Sequence, residues 1–116
     1  MSRTSWQRRS PDFWIKQNDT SPTVSMQLQD GAGVNIDGTG ATVKFMAWFP
    51  GEATVKINSA GSITAGGIAS YTFSATDSNT VGDMMAEWQV TFGGGAVETF
   101  PNGEWLKVRV KDDIAA

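Results

Sequence analysis

The sequence predicts an all-β, two-sheet sandwich, and three observations predict it. Apolar residues recur at period two. Val24, Met26 and Leu28 interleave with Ser25, Gln27 and Gln29, and Val43, Phe45, Ala47 and Phe49 share one face with Lys44, Met46 and Trp48 on the other. Such alternation marks strands with one face buried. Turn formers recur at short intervals: Asp30-Gly31, Gly33, Asp37-Gly38, Gly40, Pro50-Gly51, Gly93-Gly94-Gly95 and Pro101-Asn102-Gly103. Glycine supplies positive φ, while Asp and Asn close turns with their own side chains. No amphipathic helical stretch of useful length appears between them.

The elements follow in order. Residues 1–11 read as an extended basic arm, polar apart from Trp6, and 12–16 (DFWIK) as a short aromatic strand. A turn-rich loop over 17–22 leads to a strand over 23–29 and a brief extended piece at 34–37. The long strand 41–49 is stopped by Pro50-Gly51 and returns as 53–58; 59–67 reads as a loop and 68–74 as the next strand. The polar stretch 75–82 leaves room for one short helical turn. The strand 84–92 puts Met84, Ala86, Trp88, Val90 and Phe92 on one face, which makes Trp88 a core residue. A triple-glycine tip, a return strand 96–100 and a final strand 104–110 complete the body, and 112–116 reads as a frayed tail. Seven or eight short antiparallel strands in about 95 residues are the size and pattern of an Ig-like sandwich. The body, 12–111, is one domain with no internal repeat and no linker.

Composition bounds the function. The 116 residues contain no cysteine, so neither a disulfide framework nor a thiolate zinc site is available, as suits a reducing compartment. There is no histidine, which removes Ser-His and Cys-His catalysis and the commonest metal ligand. None of the twelve acids stands in a catalytic spacing, so the chain is not read as an enzyme and no cofactor is expected. No apolar run approaches 18 residues, and the N-terminus has no apolar segment of the signal-peptide kind, so no membrane role is expected.

The net charge of −3 is unevenly placed. Arg3, Arg8 and Arg9 fall in the first nine residues, which hold no acid, so the rest of the chain carries −6. An acidic body excludes a phosphate-binding face, and nucleic acid is not an expected partner. A basic arm on an acidic body suggests a tether to an acidic neighbour; a solvated N-terminus without a partner is the plainer reading.

Four groups of residues are candidates for a site. Asp30, Asn35 and Asp37 offer oxygens, but without the acidic density of a calcium loop they read first as turns closed by side-chain hydrogen bonds. Trp48 and Trp105 lie opposite the aliphatic face of their strands, either as a cover for the second face, as an interface or as a sugar-stacking platform. Trp6, Arg8, Arg9, Phe13 and Trp14 combine aromatics with arginines, the usual anchors of protein interfaces; Phe13 and Trp14 could equally cap one end of the sandwich. Gly93-Gly94-Gly95 is a hairpin tip, since no helix follows to make a phosphate cradle.

The order of motifs also carries a resemblance. Lys16-x-Asn18-Asp19-Thr20, Asp30-Gly31, the run VNIDGTGATV at 34–43, Lys44-Phe45-Met46, Ser70-Tyr71-Thr72-Phe73, Asp77, Thr80-x-Gly82, AEWQVTF at 86–92 and Thr99-Phe100-Pro101 succeed one another over 13–110. This order resembles the N-terminal domain of phage baseplate upper proteins and related small β-sandwich tail proteins. The resemblance implies a non-enzymatic virion structural protein, assembled in the host cytoplasm. Its partners would be other virion proteins of the tail, neck or baseplate ring, together with copies of itself. Longer members of that family continue into a helical or fibre-binding region, so a tail, neck or capsid accessory role fits this chain better than carriage of a receptor-binding protein. A carbohydrate-binding adsorption module and a capsid or head decoration protein are the alternatives.

Overall fold

The alternating segments do form two sheets. The computed structural model describes residues 10–20, 22–52, 55–101 and 105–111. The arm 1–11 therefore lies outside the described residues except for Ser10 and Pro11, and the tail 112–116 lies outside them entirely. The strands are β1 (Phe13–Lys16), β2 (Thr23–Gln27), β3 (Thr42–Trp48), β4 (Ile57–Ala60), β5 (Ser62–Ile63), β6 (Ile68–Thr72), β7 (Gly82–Thr91), β8 (Val97–Phe100) and β9 (Leu106–Lys111). The larger sheet runs β1-β9-β7-β3-β4, with β8 pairing on the far half of β7; the smaller runs β2-β6-β5.

Two expectations are corrected here. The strands number nine among the described residues, not seven or eight, because the Ser- and Gly-rich stretch read as a loop contains the end of β4 and all of β5. Main-chain pairing makes this segment a strand without any apolar alternation. Gly61 carries the chain across: its N–H bonds to Val43 O at 2.9 Å in one sheet, while a Cβ on it would stand 2.5 Å from Ser70 O in the other. Nor are all strands antiparallel. β1 runs parallel to β9, with Phe13 opposite Val108 and Lys16 opposite Lys111. A short strand joined to the fold only through a long excursion of chain can pair in either sense, and alternation carries no information on which. In addition, 75–82 holds turns and no helix, because the Asp77 carboxylate accepts from Ser74 N at 2.8 Å and from the Tyr71 hydroxyl, closing the corner with side-chain bonds.

The core lies between the sheets and is strongly aromatic. Phe45 on β3 is fully buried, with ring centroids 4.8 Å from Trp88 on β7, 5.1 Å from Tyr71 on β6 and 5.9 Å from Phe73 just beyond it. Phe13 of β1 stacks on Phe73 at 5.8 Å, so it belongs to the inner face. Aliphatic residues Val24, Val43, Ile57, Met84, Val90, Val108 and Val110, at inward positions of their strands, and Leu28 just after β2 fill the rest. Trp88 is fully buried as expected, although its indole N–H meets no acceptor among the described residues. The corner after β6 ties to the β1–β2 loop: Asn18, at φ 67°, donates its N–H to Ser78 O at 2.9 Å, and Ser78 Oγ donates to Asp19 O at 3.0 Å.

Replacing Phe45 with Ala removes the ring that joins both sheets and is expected to cost about 3–5 kcal/mol in denaturant unfolding. Tyr71, the chain's only tyrosine, is pushed up to about 12 from 10 by burial and by the neighbouring Asp77 carboxylate, both of which penalise the phenolate. Its folded value lies above its unfolded one, so its contribution is full below pH 10 and is lost as pH rises through about 12. Phenolate absorbance should therefore appear about two units late, together with alkaline unfolding. Tyr71→Phe, which leaves the nearly buried Asp77 short of a donor, should lower stability by about 1–3 kcal/mol.

Candidate interaction face

The outward positions of the larger sheet collect residues that are far apart in sequence. In β3, Val43, Phe45 and Ala47 point inward, so Lys44, Met46 and Trp48 point outward. In β7 the same alternation sends Asp83, Met85, Glu87 and Gln89 outward, and in β9 it sends Lys107, Arg109 and Lys111 outward. Trp14 on β1 shares this face, since its neighbour Ile15 is buried. Register then sets the neighbours. Trp14 lies opposite Arg109 and Arg109 opposite Asp83; Met85 lies between Trp48 and Lys107; Met46 lies between Asn58 and Glu87.

Two clusters result. One is a strip of charge and aromatic ring across three strands. Arg109 donates to both Asp83 oxygens, Nε to Oδ1 at 2.7 Å and Nη2 to Oδ2 at 2.9 Å, a two-point geometry that holds the guanidinium flat. Its Cζ stands 5.2 Å from the Trp14 ring centroid, and Lys111 Nζ stands 5.0 Å from the same ring. Lys107, 2% exposed, brings a second cation to within 3.8 Å of Asp83. These cations hold the Asp83 carboxyl below the ordinary carboxylate range, the Arg109 hydrogen bonds first, and the same bonds raise Arg109.

The other cluster is apolar. Trp48 and Trp105 meet edge to face, with centroids 6.2 Å apart and planes at 86°, beside Met46 and Met85. Glu87 sits among them. Burial pushes its carboxyl up, partly offset by a hydrogen bond from the Trp105 indole. Trp14 is 48% exposed and Trp105 41% exposed, while Trp48 is half-buried.

Of the seven residues singled out from sequence, three thus share one outer face: Trp14, Trp48 and Trp105. Phe13 does not; it points to the opposite side, against Phe73. Trp6, Arg8 and Arg9 lie outside the described residues. Sequence reasoning missed Asp83, Arg109, Glu87, Met46 and Met85. Alternation within 82–91 and 106–111 places them outward, but their meeting depends on the register between β7, β9 and β3, which no local pattern encodes.

The Asp-Gly turns are closed by their own backbone. Asp30 Oδ1 accepts from Ala32 N at 2.8 Å and Val34 N at 3.0 Å, and Asp37 Oδ1 accepts from Thr39 N at 3.0 Å. The Thr39 contacts hold the Asp37 carboxyl below its ordinary value. Among the described residues no group of three or more metal-ligating side chains forms. The triple glycine turns between β7 and β8, Gly95 donating its N–H to Phe92 O at 2.8 Å.

No family model matches the chain, and no curated protein matches its sequence.

Because Asp83 titrates lower in the folded chain than in the unfolded one, its contribution is present above its ordinary value of 3.8 and is lost as pH falls through the folded value. Melting curves of the wild-type chain should fall in that acid window. In Asp83→Asn they should start lower at neutral pH and decline less on acidification.

Proposed function

We propose that this chain is a structural assembly subunit that docks on other proteins through the outer face of its larger sheet. The observation that carries this reading is the convergence of Trp14, Trp48 and Trp105 on one exposed face, with two methionines between them and a braced arginine beside them. Tryptophan, methionine and arginine are the residue types enriched in protein interfaces, and the pairing of Arg109 with Asp83 fixes its geometry before binding. The basic N-terminal residues are a second contact element in this reading, set against the rest of the chain, which holds all twelve acids.

The architecture is read as Ig-like. The order β9-β7-β3-β4 facing β2-β6-β5 corresponds to strands G-F-C-C′ facing B-E-D of a variable-type sandwich. Ordered motifs over 13–110, similar to those of phage baseplate upper proteins, support placing the subunit in a virion, in the tail, baseplate or neck, with copies of itself as neighbours. Carbohydrate adsorption is the weaker reading, because Trp48 and Trp105 stand at 86° to one another and offer no common flat surface to a sugar ring. A capsid or head decoration role would use the same face.

The test combines Trp48→Ala and Trp105→Ala in one chain. Circular dichroism and unfolding should show a folded protein, while incorporation into particles, or self-association in sedimentation, should weaken by about 2 kcal/mol or more, roughly thirty-fold. Undiminished association of this variant sinks the docking face. A tryptophan-fluorescence response of the wild type to host-surface glycans moves the assignment to the carbohydrate reading.

A further inference from the structure

β1 and β9 are the basic strands of the fold. They carry Lys16, Lys107, Arg109 and Lys111 and no acid, whereas the other described residues hold two cations, Lys44 and Lys56, and nine acids. All four cations take outward positions of the larger sheet, because Ile15, Val108 and Val110, which alternate with them, point into the core. Two of the four are compensated. Arg109 bonds to both Asp83 oxygens, and buried Lys107 lies 3.8 Å from the same carboxylate. Lys16 and Lys111 are exposed, and the register sets them side by side on the parallel pair. Neither forms an ion pair among the described residues. Like charges side by side on one face repel and cost stability, so this corner of the sheet carries positive charge that the fold itself does not use.

A groove of about 370 Å³ lies at the same corner, lined by Trp14, Ile15, Lys16, Asp19, Pro22 and Lys111. β1 ends the larger sheet among the described residues, so the groove opens at a sheet edge. Trp14, Ile15 and Pro22 give it apolar surface, while Lys16 and Lys111 bring two ammonium groups against one acid, Asp19. Lys111 Nζ stands 5.0 Å from the Trp14 centroid and Arg109 Cζ 5.2 Å from it, so the exposed indole is fringed by cations.

We propose that this corner binds an acidic segment of a partner protein, one in which carboxylates flank an apolar side chain. The carboxylates meet Lys16 and Lys111, and the apolar side chain lies against Trp14. Charge complementarity selects this occupant: an ammonium offers donors and no acceptor, so an anionic oxygen is what completes it. The small footprint selects a short protein segment over the other polyanions. Asp19 lies in the groove and Asp83 lies beside Arg109, where a run of nucleic-acid phosphates is repelled. Two uncompensated lysines also fall short of the polybasic cluster that an anionic membrane surface requires.

The inference rests on the docking reading of the outer face and adds to it the chemistry of the partner. Trp48, Trp105, Met46 and Met85 supply apolar contact at one end of that face, and the β1–β9 corner supplies charge at the other. Exposed charges at the rim of an interface act on the rate of encounter and on the choice of partner, and salt screens them. A basic neighbour is turned away by the same lysines that draw an acidic one.

Titration calorimetry with a blocked peptide of glutamates and interspersed leucines tests it. The full chain is used, so that Asp112 and Asp113, which follow Lys111 outside the described residues, are present. The wild type should bind this peptide, more weakly as salt rises, and should not bind its glutamine counterpart. Lys16→Gln with Lys111→Gln should weaken binding at least about ten-fold without lowering Tm, while Lys44→Gln with Lys56→Gln, an equal change of charge elsewhere, should leave it within about two-fold. The proposal is overturned if the wild type does not bind, if the glutamine peptide binds as well, or if the two double variants weaken binding equally. It is also overturned if duplex DNA or phosphatidylserine vesicles bind more tightly than the peptide with the same dependence on Lys16 and Lys111. Self-association that Lys16→Gln with Lys111→Gln abolishes would overturn it too, by placing a second copy at the corner. Absence of peptide binding, with incorporation still lost in the Trp48→Ala, Trp105→Ala chain, strikes this inference and leaves the docking reading standing. Peptide binding with undiminished incorporation of that chain strikes the docking reading and leaves the acidic-segment site.

Discussion

Everything else in the fold hangs on the ring of Phe45. It lies at the centre of β3, touches Trp88 within its own sheet and Tyr71 and Phe73 across the gap, and is fully buried. Aromatic rings at these separations contribute through area and through edge and offset geometry. Here that contact sets the spacing of the two sheets. Phe13 reaches the same cluster through Phe73, which holds β1 on the edge of the larger sheet. With β1 held there, Trp14 on its other face comes to Arg109, and the charged strip extends across β1, β9 and β7. The packing of the inner face thus determines which residues meet on the outer one.

The two faces of the larger sheet use different chemistry for that reason. Inside, alternation supplies aliphatic and aromatic side chains that need only volume and shape. Outside, the same strands supply Asp83, Arg109 and Lys107, which hold one another, and Glu87, which takes a hydrogen bond from Trp105. Lys107 shows the boundary case, a cation with 2% exposure on an outward position, with its ammonium near the Asp83 carboxylate. Long side chains of this kind cover the sheet with their stems while the charged end finds a partner.

Much of the fold was legible in the chain. The periods of 23–29, 41–49 and 84–92 named the strands and their inward residues, Trp88 among them, and the Asp-Gly turns closed by the side-chain bonds that their residue types imply. The end of β4 and the whole of β5 were not legible, because Ser, Ala and Gly there pair through the backbone without an apolar alternation. The outer face was half legible. Trp48 and Trp105 stood out as outward aromatics, but nothing local joined Arg109 to Asp83, residues 26 positions apart that meet only because β7 and β9 pair at that register.

The sequence by itself determined an all-β chain, the positions of its turns, most of its core and the absence of the side chains that histidine or cysteine chemistry requires. These are local properties, set by side-chain volume, backbone freedom at glycine and proline, and residue inventory. The tertiary structure alone decided the parallel pairing of β1 with β9, the meeting of three distant tryptophans on one face, and the place of β2 at the edge of the smaller sheet among the described residues. Those features depend on which strands become neighbours and in what register, and that choice is made by the packing of the whole core.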